Sequence, residues 1–195
     1  MHSFIDATYD FVSTDNLDVF PFVPFKTFTA QIKPTRKIQR FDSASAWAYT
    51  YAPYPRRVLK ASYALSLDNR TRVFTDFLRR REFYVIFPAI GKVVEQTSAY
   101  IRVAIPYTIA LRDDYLAFIT SDNRVEIASG YTVQYDETSR EVKLYNLNIS
   151  IPAVIVCPVI KTTMALTLSS ETVQTSAMPI NIVSITFVED VTNGG

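Results

Sequence analysis

Cysteine occurs once in the 195-residue chain, at Cys157, and histidine once, at His2. A lone cysteine excludes an intramolecular disulfide framework and a cysteine-based zinc cluster. A lone histidine at the start of the chain gives no Ser-His-Asp or Cys-His arrangement held rigidly in a cleft. Glycine is also scarce, at Gly91, Gly130, Gly194 and Gly195. The phosphate-cradling loops G-x-x-x-x-G-K-[ST] and G-x-G-x-x-G are therefore absent, as is H-E-x-x-H. Neither charge sign dominates: 20 basic side chains face 19 acidic ones. Bulk attraction to nucleic acid or to anionic lipid is not expected. The longest apolar run, Ile151 to Ile160, contains Pro152 and Pro158. It falls far short of the roughly 20 residues that span a bilayer. Asp6 and Asp10 stand where a signal peptide would carry a basic stretch and an apolar core. The expectation is a soluble protein made in the cytosol, with no metal, no cofactor and no catalysis.

What is present is apolar and aromatic. The sequence is 48% hydrophobic, with 12 Tyr and 13 Phe, which sets it apart from disordered chains. Its length allows one substantial core, or a core with a small inserted lobe. With so little glycine, turns must use Asp, Asn and Pro; Asp122-Asn123 and Asp136-Glu137-Thr138 are examples. Period-2 alternation marks strands with one buried face. Trp47, Tyr49 and Tyr51 alternate with small residues. Leu59, Ala61, Tyr63, Leu65 and Leu67 alternate with Lys60, Ser62, Ala64 and Ser66. Asp68 and Asn69 then open a helix, expected from about Asn69 to Arg81, that packs Phe74, Phe77 and Leu78 on the sheet. Phe83 to Phe87 follows as an apolar strand ended by Pro88.

Four regions result. Residues 1–24 form an irregular N-terminal arm. Residues 25–98 and 150–190 together form a main β-domain, closed by strands at Ala153 to Ile160, Thr163 to Leu168 and Asn181 to Val188. Residues 99–149 form a β-rich insertion with a strand about every ten residues. Residues 191–195 form a flexible tail. The fold class is mainly β: an antiparallel sandwich or barrel with one short helix and a small β insertion. Adjacent acids at Asp113-Asp114, Asp136-Glu137 and Glu189-Asp190 read as solvated turn residues. A distant-strand carboxylate pair of the glycosidase kind stays open. Cys157 reads as a buried, inert thiol.

Two features point to another chain. Phe20, Phe22, Val23 and Phe25 are too apolar for water, yet Pro21 and Pro24 keep them out of a central strand. They should cover a sheet edge or a neighbouring subunit. Around the helix lie Arg70, Arg72, Arg79, Arg80 and Arg81. Cations suit a helix C-terminus, but Arg70 and Arg72 lie near its start, which hints at acidic partners. These nine residues are the candidate subunit interface, with Asp6, Asp10, Asp15 and Asp18 of the arm as facing acids in a head-to-tail ring. Deleting residues 1–24 is then expected to leave a folded monomer that no longer assembles.

The order of elements in residues 25–88 resembles the N-terminal domain of phage distal tail proteins and related minor tail proteins. The matching parts are Trp47-Ala48-Tyr49, Leu59 to Leu67, Phe77-Leu78-Arg79-Arg80-Arg81 and Phe83 to Pro88. Ala153 to Val159 and Val183 to Glu189 resemble that family's later segments. The resemblance implies a tail-tube-type β-domain, in a homo-oligomeric ring that joins the tail tube protein to hub or baseplate proteins. It implies a location in the virion tail. A carbohydrate-binding or receptor-binding β-sandwich module is the alternative, since sugars stack on exposed aromatic faces and the chain is rich in Tyr.

Overall fold

Alternation over residues 56–65 produces a strand whose odd-numbered side chains fill a core: Leu59, Ala61, Tyr63 and Leu65 are all buried. It is the fifth of fourteen strands among the described residues. In chain order these are β1 Asp10–Ser13, β2 Phe28–Lys33, β3 Arg36–Arg40, β4 Ala46–Thr50 and β5 Arg56–Leu65. Next come β6 Phe83–Ile86, β7 Gly91–Gln96, β8 Tyr100–Ala104, β9 Tyr115–Ile119 and β10 Arg124–Ser129. The last are β11 Thr132–Asp136, β12 Glu141–Tyr145, β13 Ile155–Gln174 and β14 Pro179–Glu189. The computed structural model describes residues 4–25, 28–33, 36–40, 46–50, 55–80, 82–88, 91–104, 113–136, 138–174 and 179–190. For 36–40 and 46–50, and for a few positions of the last hairpin, it describes the backbone alone. Tyr51, Arg81 and the tail 191–195 lie outside the described residues, as does the side chain of Trp47.

The fold is mainly β and sandwich-like. Twelve strands share one hydrogen-bonded sheet, and β3 pairs β4 separately. Pairing is antiparallel except at β1, which joins β10 in parallel. The spine is β13, twenty residues long and so about 66 Å at ~3.3 Å per residue. Its first part pairs β9, a short middle part pairs β6, and the remainder pairs β14. The two strands expected at Ala153 to Ile160 and Thr163 to Leu168 are thus one, continued through Lys161 and Thr162 with a register shift between Thr162 and Met164. Polar Ser169 to Glu171 continue it because β14 supplies their backbone partners.

Three apolar clusters lie along this spine. One holds Phe20, Tyr63, Phe77, Phe83 and Phe187. A second joins Ile101, Leu116, Phe118, Val142 and Leu144. A third, around Ile86, Ala117, Ile127 and Cys157, uses the alternate positions of β6, β9 and β13 and so lies on the opposite face. Residues 99–149 contribute β8 to β12 to the common sheet, with β9 directly on β13.

The helix differs from its sequence expectation at both ends. It starts at Leu67, because the Ser66 hydroxyl caps it by accepting from the Asn69 N–H. Leu67 leaves the strand alternation and is 58% exposed. The α-helical part, α1 Leu67–Arg72, passes into a π-helical turn at Val73–Phe77. Val73 and Phe77, four positions apart on one helical face, are both in the core. Scarce glycine is met as expected: the left-handed backbone falls on Asp6, Asp15, Asn16, Asn123 and Asn146, with Arg140 and Gly130. The Asp136 carboxylate holds its turn by accepting from the N–H groups of Thr138 and Ser139.

Candidate functional site

The arm packs on its own chain. Phe20 and Phe22 are 2% and 3% exposed. The Phe20 ring lies 5.2 Å from Tyr63, 5.3 Å from Phe77 and 5.1 Å from Phe187, centroid to centroid. Val23 and Phe25 are half-buried. The Phe25 N–H donates to the Ser62 carbonyl at 2.6 Å, and Phe4 stacks on the Phe25 ring. The expectation of an intermolecular role for Phe20 and Phe22 is corrected here. The gap between helix and sheet needs a large ring, and the arm supplies it in cis. A chain lacking residues 1–24 would lose part of its core, so it should not survive as a folded monomer.

The acids of the arm are also engaged within the chain. Asp6 accepts from the Ser66 N–H at 2.8 Å, beside the helix start. Asp10 pairs with Arg124, and Asp15 accepts from the Ser129 hydroxyl. Asp18 pairs with Arg80. These contacts tie the arm to the sheet and to both ends of the helix within the chain.

The basic residues divide accordingly. Arg70 reaches the buried Asn181 at 3.3 Å and lies over the Phe74 ring. That contact accounts for a cation near the wrong end of a helix. Arg72 pairs with Asp76 one turn on, both exposed, a contact of small energetic weight. Arg80 lies 4.7 Å over the Phe77 ring. Arg79 is exposed. Phe77 is buried, and Phe74 and Leu78 pack against the same cluster half-buried.

A second polar centre escaped the sequence reading. Arg57 at the start of β5, Glu189 at the end of β14 and Asp113 before β9 meet with side chains 5–7% exposed. The Arg57 guanidinium donates to both carboxylates, and its N–H donates to Glu189 at 2.7 Å. Burial alone would lower the Arg57 pKa, but the hydrogen bonds to Asp113 and Glu189 outweigh it and raise it. Asp113 and Glu189 are thus not the solvated turn residues expected. Each satisfies a buried guanidinium, and they tie residues 99–149 to the main domain. Partners 56 and 132 positions apart leave no local pattern to find.

Little reactive chemistry is arranged in the described residues. Cys157 is buried, and burial pushes its thiol up to about 12. No group of three or more His, Cys, Asp or Glu able to hold a metal occurs among the described residues, and His2 lies outside them. No helix among them is long and apolar enough to cross a membrane.

The remaining distinctive surfaces are two margins of the main sheet, at β2 and at β13. All six residues of β2 are exposed, with Phe28 at 39% and Ile32 at 54%. Register sets Phe28, Ala30 and Ile32 beside Ala61, Leu59 and Arg57, on the core side. Leu166 and Val173 on β13 are also exposed. No family model matches the sequence, and no match to a curated protein reaches significance.

Proposed function

We propose that the chain is a structural component of a phage tail, forming a ring that joins the tail tube to the baseplate or tail-tip hub. The observation that carries this reading is apolar exposure at two margins of the main sheet, with Phe28 and Ile32 on β2 and Leu166 and Val173 on β13. Apolar side chains along a sheet margin mark contact with another chain. The resemblance of residues 25–88 and 153–189 to distal and minor tail proteins supplies the kind of assembly. The mainly β architecture is compatible with it. The test is to delete the gene from the phage that carries it and image the particles. The reading expects tails that fail at the distal end, restored by the intact chain. Normal infectious particles lacking the protein would overturn it.

One observation favours the carbohydrate-binding alternative. Tyr100 and Tyr145 lie 6.0 Å apart on the face of β8 and β12 that also carries Lys143 and Arg102. Such an aromatic pair among polar side chains is the usual ground for a sugar ring. The Tyr145 hydroxyl is already engaged with Gln134, so the ring reading is preferred. A glycan array probed with the purified chain tests the alternative, and an empty array removes it.

A further inference from the structure

We propose, independently of the ring reading, that the β3–β4 hairpin is a binding ribbon for single-stranded nucleic acid. The chain as a whole is nearly neutral, but its positive charge is not evenly spread. Lys33, Arg36, Lys37, Arg40 and Arg56 fall within residues 33–56, beside one acid, Asp42. With 20 bases and 19 acids in all, the remainder of the chain is net acidic. A polyanion is therefore drawn to this segment and repelled elsewhere. The hairpin pairs apart from the twelve-stranded sheet and is inserted between β2 and β5. At that junction Lys33 and Arg56 stand directly opposite each other on neighbouring strands. Like charges so placed repel, and the Arg56 Nε has no hydrogen-bond partner. An anion at the base of the hairpin would offset that repulsion.

Register divides the hairpin by chemistry. Arg36, Lys37 and Arg40 are on β3, and Trp47 and Tyr49 are on β4. Lys37 is opposite Tyr49 and Gln39 opposite Trp47, so these four share one face. Trp47 and Tyr49 follow each other at about 6.6 Å, two residues of extended strand. Rings repeated along one strand, with cations along the next, fit a row of stacked bases beside its phosphates. An acidic protein would engage the cations and leave the rings without a role. An anionic membrane would need apolar area to bury, whereas Asp42, Ser43 and Ser45 stand in the sequence between β3 and β4. Paired bases offer no open face for stacking, so the strand must be single.

The test measures binding of the full chain to short oligo(dT) and oligo(rU) strands at low salt. Trp47 is the sole tryptophan, so its fluorescence reports on the hairpin and should be quenched as bases stack there. Affinity should fall with rising salt. Replacing three cations together, Arg36→Gln, Lys37→Gln and Arg40→Gln, should flatten that dependence by about 2 in slope, at ~0.7 per phosphate contact. Tyr49→Ala should weaken binding roughly 5- to 100-fold. Equal melting temperatures for parent and variants separate loss of binding from loss of fold; if a variant misfolds, Trp47 quenching in the parent decides. A parent chain that binds neither strand would overturn the assignment, as would binding that leaves Trp47 fluorescence unchanged. A duplex bound as tightly as the single strand would overturn it too. Polyglutamate or phosphatidylserine vesicles that bind as tightly, with the same Trp47 response, would give the ribbon to a protein or a membrane instead.

Discussion

Replacing Phe20 by alanine removes the central ring of the main core. The side chain is 2% exposed and has aromatic neighbours in the arm, β5, the π turn, β6 and β14. Deleting a buried Phe side chain costs about 3–5 kcal/mol, from lost transfer energy and the cavity left behind. Edge-to-face aromatic pairs add about 0.5–1.5 kcal/mol each beyond their burial. The five neighbours belong to separate segments and cannot collapse together, so the upper end, about 4–5 kcal/mol, is expected. In urea, with a slope of roughly 2 kcal/mol per M, the midpoint should fall by about 2 M. The melting temperature should fall by about 8–20 °C for a chain of this size. Leu67→Ala, at a 58% exposed position, should change stability by no more than about 0.5 kcal/mol. If Phe20→Ala behaved like Leu67→Ala, the arm would not fill the core in solution, and its assignment within the chain would fail.

Arg57→Ala should destabilise by about 3–5 kcal/mol, because two buried carboxylates lose their cation; a melting temperature within 2 °C of the parent, roughly the shift for 1 kcal/mol, would refute the buried cluster. Gly91→Ala should cost about 1–3 kcal/mol, since the added carbon would meet the Val103 side chain across β7 and β8; an unchanged urea midpoint would contradict that close approach. Cys157 should resist a thiol reagent at pH 8 until the chain is unfolded. Its folded pKa is raised from 9.0 to about 12, so its neutral form costs no stability below pH 9. Stability should then fall as pH rises from about 9 towards 12, where the unfolded thiol ionises first. Cys157→Ala should lessen that alkaline loss, and an identical pH profile would contradict the assignment.

How much of this was legible in the sequence depends on how local the cause is. The alternation at Leu59 to Leu65 and the helical spacing of Phe74, Phe77 and Leu78 are consequences of neighbouring residues, so strand, helix and packing face could be read directly. The helix start shifted because a serine one turn earlier competes with Asp68 and Asn69 for the cap. The length of β13 was hidden because Ser169 to Glu171 have low strand preference, and only their pairing with β14 holds them extended. The arm was the instructive failure. Apolarity and proline said correctly that it needs a surface to cover, but which surface depends on a gap between helix and sheet that exists only after folding. The Arg57 cluster depends on residues brought from opposite ends of the chain and left no local trace. The exposure of both faces of β2 was equally invisible, because its sequence alternates like any other half-buried strand.

If the chain forms a ring, as proposed, native mass spectrometry of the purified full chain over a range of micromolar concentrations will show it. The expected result is one closed multimer at an integral multiple of the 22.1 kDa subunit mass, favoured as concentration rises. A spectrum showing only the 22.1 kDa monomer at every concentration would contradict it.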